Sequence, residues 1–87
     1  MHYVYVLYSA KDGNFYTGCA GDLKERLALH NNGKVPSTAE RRPLTLVYYE
    51  ACVDSRDAFH REKYLKSTYG KRYIRNRLKH YFADLDL

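Results

Sequence analysis

The first twenty residues constrain the architecture most. Residues 2–8 (His-Tyr-Val-Tyr-Val-Leu-Tyr) are β-branched and aromatic, the composition of a strand packed on a pleated surface. Lys11-Asp12-Gly13-Asn14 is a turn signal, because Gly13 can take positive φ without steric cost. Residues 14–20 return as a second strand, so a β-hairpin is predicted. Gly18 inside that strand marks a place where another group can approach the backbone closely.

The remainder adds helices and one more strand. Asp22 is a good N-cap and Glu25 completes a capping-box-like start, so a helix is predicted over 23–31, stopped by Asn31-Asn32-Gly33. Residues 32–43 read as a polar loop containing Pro36 and Pro43, and a loop of that length in a small domain is often functional. Residues 44–50 form a third strand. Asp54 or Ser55 caps a second helix running to about Tyr69, Gly70 breaks it, and a last helix covers about 71–82. The order β-β-α-β-α-α is an α+β domain with a small antiparallel sheet.

Eighty-seven residues make one domain, 1–87, with one modest core. The apolar runs are too short to span a membrane or form a signal peptide, so a cytoplasmic location is expected. Cys19 and Cys52 are too few for a zinc motif, and free thiols are favoured over a disulfide. Net charge is +5, and residues 61–79 hold eight Lys or Arg against one acid, Glu62. That run is either a solvated helical face or a nucleic-acid footprint interleaved with Tyr64, Tyr69 and Tyr73.

Helical spacing then singles out a few side chains. On the first helix Leu23, Arg26, Leu27 and His30 fall in one sector, so Arg26 and His30 share the side that packs on the sheet. A guanidinium placed there needs an anion, either a ligand or an internal carboxylate. On the second helix Ala58, Glu62, Leu65 and Tyr69 form a stripe, so Glu62 needs a cation. Arg26 itself and a divalent metal are the two candidates. Tyr5 and Tyr16 are central on neighbouring strands. A two-residue Asp12-Gly13 turn puts them on one face and a three-residue Lys11–Gly13 loop on opposite faces. His30 is a candidate base near neutral pH. His2, His60 and His80 read as surface residues.

Taken in order, these segments resemble the GIY-YIG nuclease domain, in its small stand-alone bacterial form related to the excision-repair nuclease. Tyr3-Val4-Tyr5 stands for the first motif, with Tyr3 in place of its glycine. Tyr16-Thr17-Gly18 stands for the second, with Thr17 in place of its isoleucine. Asp22-Leu23-Lys24-Glu25-Arg26 with His30 is similar to the family's first helix, and Arg61–Lys66 to the segment bearing its metal-binding glutamate. Residues 70–77 resemble the end of the stand-alone domain. The resemblance implies a three-stranded antiparallel sheet flanked by helices, with Tyr5 and Tyr16 in one pocket.

The activity it implies is metal-dependent endonucleolytic hydrolysis of nucleic acid, DNA rather than RNA, with little sequence specificity. Glu62 would hold one Mg²⁺ or Mn²⁺, Arg26 would clamp the phosphate, and Tyr5, Tyr16 and His30 would handle the attacking water. Asn76, Lys66, Lys71 and Arg72 would contact the nucleic acid. A homodimer or a larger repair assembly is the expected setting. Two readings compete: a nucleic-acid-binding module of the same fold without catalysis, and a protein-interaction domain whose tyrosines are surface contacts.

Overall fold

The computed structural model describes residues 1–85. β1 (His2–Ser9) and β2 (Phe15–Ala20) form the hairpin. They are followed by α1 (Leu23–Asn31), a 3₁₀ turn (Ala39–Arg41), β3 (Leu44–Cys52), α2 (Ser55–Lys66), α3 (Thr68–Arg77) and α4 (Lys79–Leu85). The sheet is antiparallel, in the order β2-β1-β3. The α+β class and the three-stranded sheet agree with the sequence reading. No helix of the described residues is long and apolar enough to cross a membrane.

The hairpin connection is neither of the two lengths weighed from sequence. It is a four-residue loop, Ala10–Gly13, closed by Ser9 N–H donating to Asn14 O at 3.0 Å and Gly13 N–H donating to Ser9 O at 2.8 Å. Gly13 has φ +72°. An even loop has the same parity as a two-residue turn, so Tyr5 faces Gly18, Leu7 faces Tyr16, and both tyrosines share one face.

Strand alternation sorts β1 into two faces although Val4, Tyr5, Val6 and Leu7 are all fully buried. Val4 and Val6 pack with Ala58, Leu65 and Ile74 into the apolar core under α2 and α3. Val4, Val6, Leu65 and Ile74 each contribute roughly 1.5–3 kcal/mol by leaving water. Tyr3, Tyr5 and Leu7 turn the other way, beneath α1.

The helical boundary near residue 67 differs from the sequence expectation. α2 ends at Lys66, and Ser67 caps α3, its hydroxyl accepting from Gly70 N–H at 3.1 Å. Gly70 lies inside α3 and is buried. A Cβ there would overlap the Tyr64 carbonyl oxygen and Leu65 Cα, so glycine is required by the close crossing of α2 and α3. The expected last helix is likewise two helices, α3 and α4.

Candidate active site

Tyr5 is held from both sides. Its hydroxyl donates to His30 Nε2 at 2.8 Å. Gly18 makes room for it: a Cβ at position 18 would overlap the hydroxyl oxygen and sit 2.6 Å from Tyr5 Cζ. The tyrosine therefore lies across the β2 backbone, which explains a glycine mid-strand. Tyr16 closes the cluster, its ring centroid 6.4 Å from that of Tyr5 and 5.1 Å from that of His30.

His30 is buried at the end of α1, and its other ring nitrogen, Nδ1, is 2.7 Å from Thr38 Oγ1. The Thr38 hydroxyl can donate to the Val35 carbonyl at 3.4 Å. The tautomer that gives every donor of this chain an acceptor has Nδ1–H donating to Thr38 and Nε2 accepting from Tyr5. Thr38 was not singled out in the sequence; the length of the 32–43 loop was the one signal that pointed to it. The loop is fixed to the hairpin by Ser9 Oγ donating to Arg41 O at 2.6 Å, an Arg41–Asp12 ion pair at 2.6 Å, and Lys11 donating to Glu40 O at 2.8 Å.

These surroundings set the titration of the pair. Burial, then the neighbouring Tyr16, raises the Tyr5 phenol well above its ordinary range, while Arg26 pulls it down and Glu62 pushes it up. Burial first, and the Arg26 charge second, depress His30 below its ordinary value of 6.5, so the imidazole is neutral at neutral pH.

Arg26 corrects one expectation. It shares a helix side with His30, yet it is exposed rather than desolvated against the sheet. A wheel sector about 100° wide has an edge, and Arg26 occupies it, at the mouth of a cleft of about 190 Å³ lined by His2, Cys19, Ala20, Ser55, Ala58 and Phe59. No carboxylate lies within ion-pair distance of its guanidinium among the described residues. The internal pairing of Arg26 with Glu62 is therefore absent.

Glu62 is half-buried on α2 and pairs with Lys66 one turn away at 3.2 Å. The Lys66 side chain is 57% exposed, so this is a weak i,i+4 contact that another cation can displace. Cys19 lies beside the carboxylate. Burial, followed by the charge of Glu62, pushes its thiol up to about 11, which keeps it protonated and a poor metal ligand. No group of three or more His, Cys, Asp or Glu side chains gathers among the described residues. An all-protein metal cage is thus excluded there, and the donor set fits a hydrated Mg²⁺ held through one carboxylate.

The basic run divides in two. Arg61 bonds Glu50 at 2.9 Å and stacks on Tyr64 and Tyr73, while Arg75 stacks on Phe15 and Phe82. These two arginines knit helices to sheet. Lys63, Lys71, Arg72, Arg77 and Lys79 remain on the exposed surface. Asn76 is exposed on α3, with no hydrogen bond or shared cleft joining it to the tyrosine pair.

The structure thus brings Tyr5, Tyr16 and His30 into direct contact, with Arg26 and Glu62 close enough to bias the Tyr5 phenol. The family model described as the GIY-YIG catalytic domain matches residues 1–78. The chain is 46% identical over 66 residues to a UPF0213 protein of Lacticaseibacillus paracasei, covering 75% of this chain and 73% of that one. It is 42% identical over 67 residues to a UPF0213 protein of Staphylococcus saprophyticus, covering 76% and 80%, and 43% identical over 67 residues to one of Clostridium perfringens, covering 76% and 71%. No solved structure matches. With the ordered tyrosine motifs, the sheet they lie on and a family match across nearly the whole length, this chain belongs to the GIY-YIG catalytic domain family, a family of nucleases.

Proposed function

We propose that the protein is a divalent-metal-dependent endonuclease acting on nucleic acid, DNA rather than RNA, with little sequence specificity. The observation that carries this reading is the Tyr5–His30–Thr38 hydrogen-bonded chain with, near enough to bias its titration, an arginine that has no carboxylate partner among the described residues. An internal chain of this kind moves a proton; an unpaired guanidinium beside it receives an anion.

Glu62 would hold the metal ion, displacing Lys66, and the bound ion would offset negative charge on the phosphate. Arg26 forks onto a phosphate oxygen and stabilises the charge that builds during displacement. Tyr5 is too weakly acidic to wait as a phenolate. Instead its oxygen takes the water proton as its own proton passes to His30 Nε2, and Thr38 steadies the resulting imidazolium through Nδ1–H. Phosphate bound at Arg26 cancels part of the charge that depresses His30, so the base strengthens when substrate arrives. Tyr16 orients the water through its hydroxyl. The exposed cations Lys71 and Arg72, with Lys66 once released and Asn76, contact the backbone without reading bases.

A binding-only role has one observation in its favour, the near-complete burial of Tyr5. Labelled single-stranded, duplex and flap substrates with Mg²⁺ or Mn²⁺ separate the two. Cleavage by wild type, lost at least about 1,000-fold in Glu62→Gln with binding retained, is expected for the enzyme. Salt-sensitive binding with no products from any substrate would establish the binding module.

A further inference from the structure

A cavity of about 510 Å³ lies away from the tyrosine–histidine cluster. It lies on the other flank of α1, walled by Tyr3, Leu23, Leu27, Leu46 and Tyr49, with Lys24 on its rim. Its volume falls in the range of about 300–1,000 Å³ usual for small-molecule sites. Tyr3 and Tyr49 meet edge to face with ring centroids 6.1 Å apart, and Tyr49 is 54% exposed. Tyr3 is the residue that stands where the first motif ordinarily has glycine, so the wall is a departure of this chain from that motif.

We infer that this cavity is a nucleobase subsite, seating the base of an unstacked nucleotide next to the phosphate held by Arg26; it rests on the nuclease reading above. Three observations converge on it. Tyr49 is the register partner of Tyr5, one strand over on the same face, so the subsite adjoins the reacting centre. Gly21 lines both this cavity and the Arg26 cleft, so one strand of nucleic acid can pass around the start of α1 from one to the other. The charge also fits: Lys24 and Arg26 flank that passage, while the Asp22 carboxylate, which lines it as well, is engaged in capping α1, accepting from Glu25 N–H at 3.0 Å. Glu25, exposed beside Arg26, adds a second acid on the Arg26 side of the passage, which sets the strand on the lysine side. An exposed phenol ring over leucine walls takes the flat face of any base, so the subsite selects for an unpaired nucleotide and not for a sequence.

Binding is measured by fluorescence anisotropy without divalent ion, on a single-stranded oligonucleotide and on copies carrying one abasic position each. Wild type should lose about tenfold in affinity at one abasic position only. Tyr49→Ala should lose about as much on the intact strand and show no further loss at that position, and Tyr49→Phe should restore both. A flat abasic scan by wild type that binds and cleaves overturns the subsite and leaves the nuclease intact. Equal losses for intact and abasic strands in Tyr49→Ala overturn it as well, as does a change in sedimentation from dimer to monomer with affinity unchanged, which would make the cavity a subunit interface. Wild type that binds no strand overturns the subsite and the nuclease together.

Discussion

The two faces of the sheet bury comparable parts of the same strand and do opposite things with them. Val4 and Val6 sit in an apolar cluster with Ala58, Leu65 and Ile74, and that cluster is held by contact area. Tyr5, one residue on, is equally buried, yet it is held by a directed chain through His30 to Thr38, with no buried side-chain polar atom left unsatisfied among the described residues. Burial therefore does not separate core from site. The difference is where the polar groups lie: the α1 face carries its hydrogen-bonded line through the fully buried Tyr5 and His30, with Arg26 exposed nearby, whereas on the α2–α3 face the Tyr48–Glu50–Arg61 network is only half-buried beside the apolar cluster.

Arg26→Ala tests this contrast most severely. The side chain is exposed and makes no ion pair among the described residues, so stability should hold within about 0.5 kcal/mol. Cleavage should fall about 100- to 1,000-fold, as for loss of one charge-stabilising donor. Thermal melting and single-turnover rates check both halves; a variant that cuts normally would leave the polar line without a purpose.

Two tight glycines, Gly18 and Gly70, give the next largest effect, one under the Tyr5 ring and one at the α2–α3 crossing. Gly70→Ala meets backbone, which cannot swing away, and should cost at least about 3 kcal/mol, beyond the usual overpacking range. Gly18→Ala meets the end of the Tyr5 ring, which can tilt. It should cost only about 1–2 kcal/mol while breaking the bond to His30 and removing most activity. Urea midpoints compared with activity would show whether the faces separate in this way.

A gentler probe is pH. His30 is depressed in the folded state, so the unfolded chain binds the extra proton first, and stability falls as pH drops below the ordinary imidazole value of 6.5. Asp12 and Asp54, both lowered by arginine partners, weaken the fold only below the ordinary carboxylate value of 3.8, so the higher window belongs to His30. Wild type should lose melting temperature as pH falls below the ordinary imidazole value, and His30→Gln should flatten that slope.

The smallest change is expected on the solvent side of the basic helices. Lys71→Ala with Arg72→Ala should raise KM only several-fold and lower the salt slope of binding by about 2, with kcat unchanged. Asn76→Ala should do less than either. A large kcat effect from any of these would move the reacting centre toward α3.

What could be read in advance follows from physics that is local. β-branched and aromatic runs, the Gly13 turn, the Asp22 cap and the spacing of Ala58, Glu62 and Leu65 all act within a few residues, so the strands, the first helix and the exposed histidines came through. The stripe was right about Ala58 and Leu65 but not about Tyr69, which is 69% exposed, because α2 ends before reaching it. Glycine was read as the break, whereas the Ser67 hydroxyl supplies the cap and Gly70 supplies clearance.

The sequence by itself determined which side chains are chemically able to serve: two phenols, an imidazole, a guanidinium and one carboxylate, carried on a hairpin and two helices. Only the tertiary structure decided who meets whom. Loop parity put Tyr5 and Tyr16 on one face, the anchored 32–43 loop delivered Thr38 to His30, and the flank position of α1 left Arg26 without a carboxylate partner among the described residues while Glu62 turned to Lys66. Helical periodicity fixes an angle around one axis. Whether a residue at the edge of that angle is buried, bonded or open to an anion depends on the distance to a second element that the local sequence does not contain.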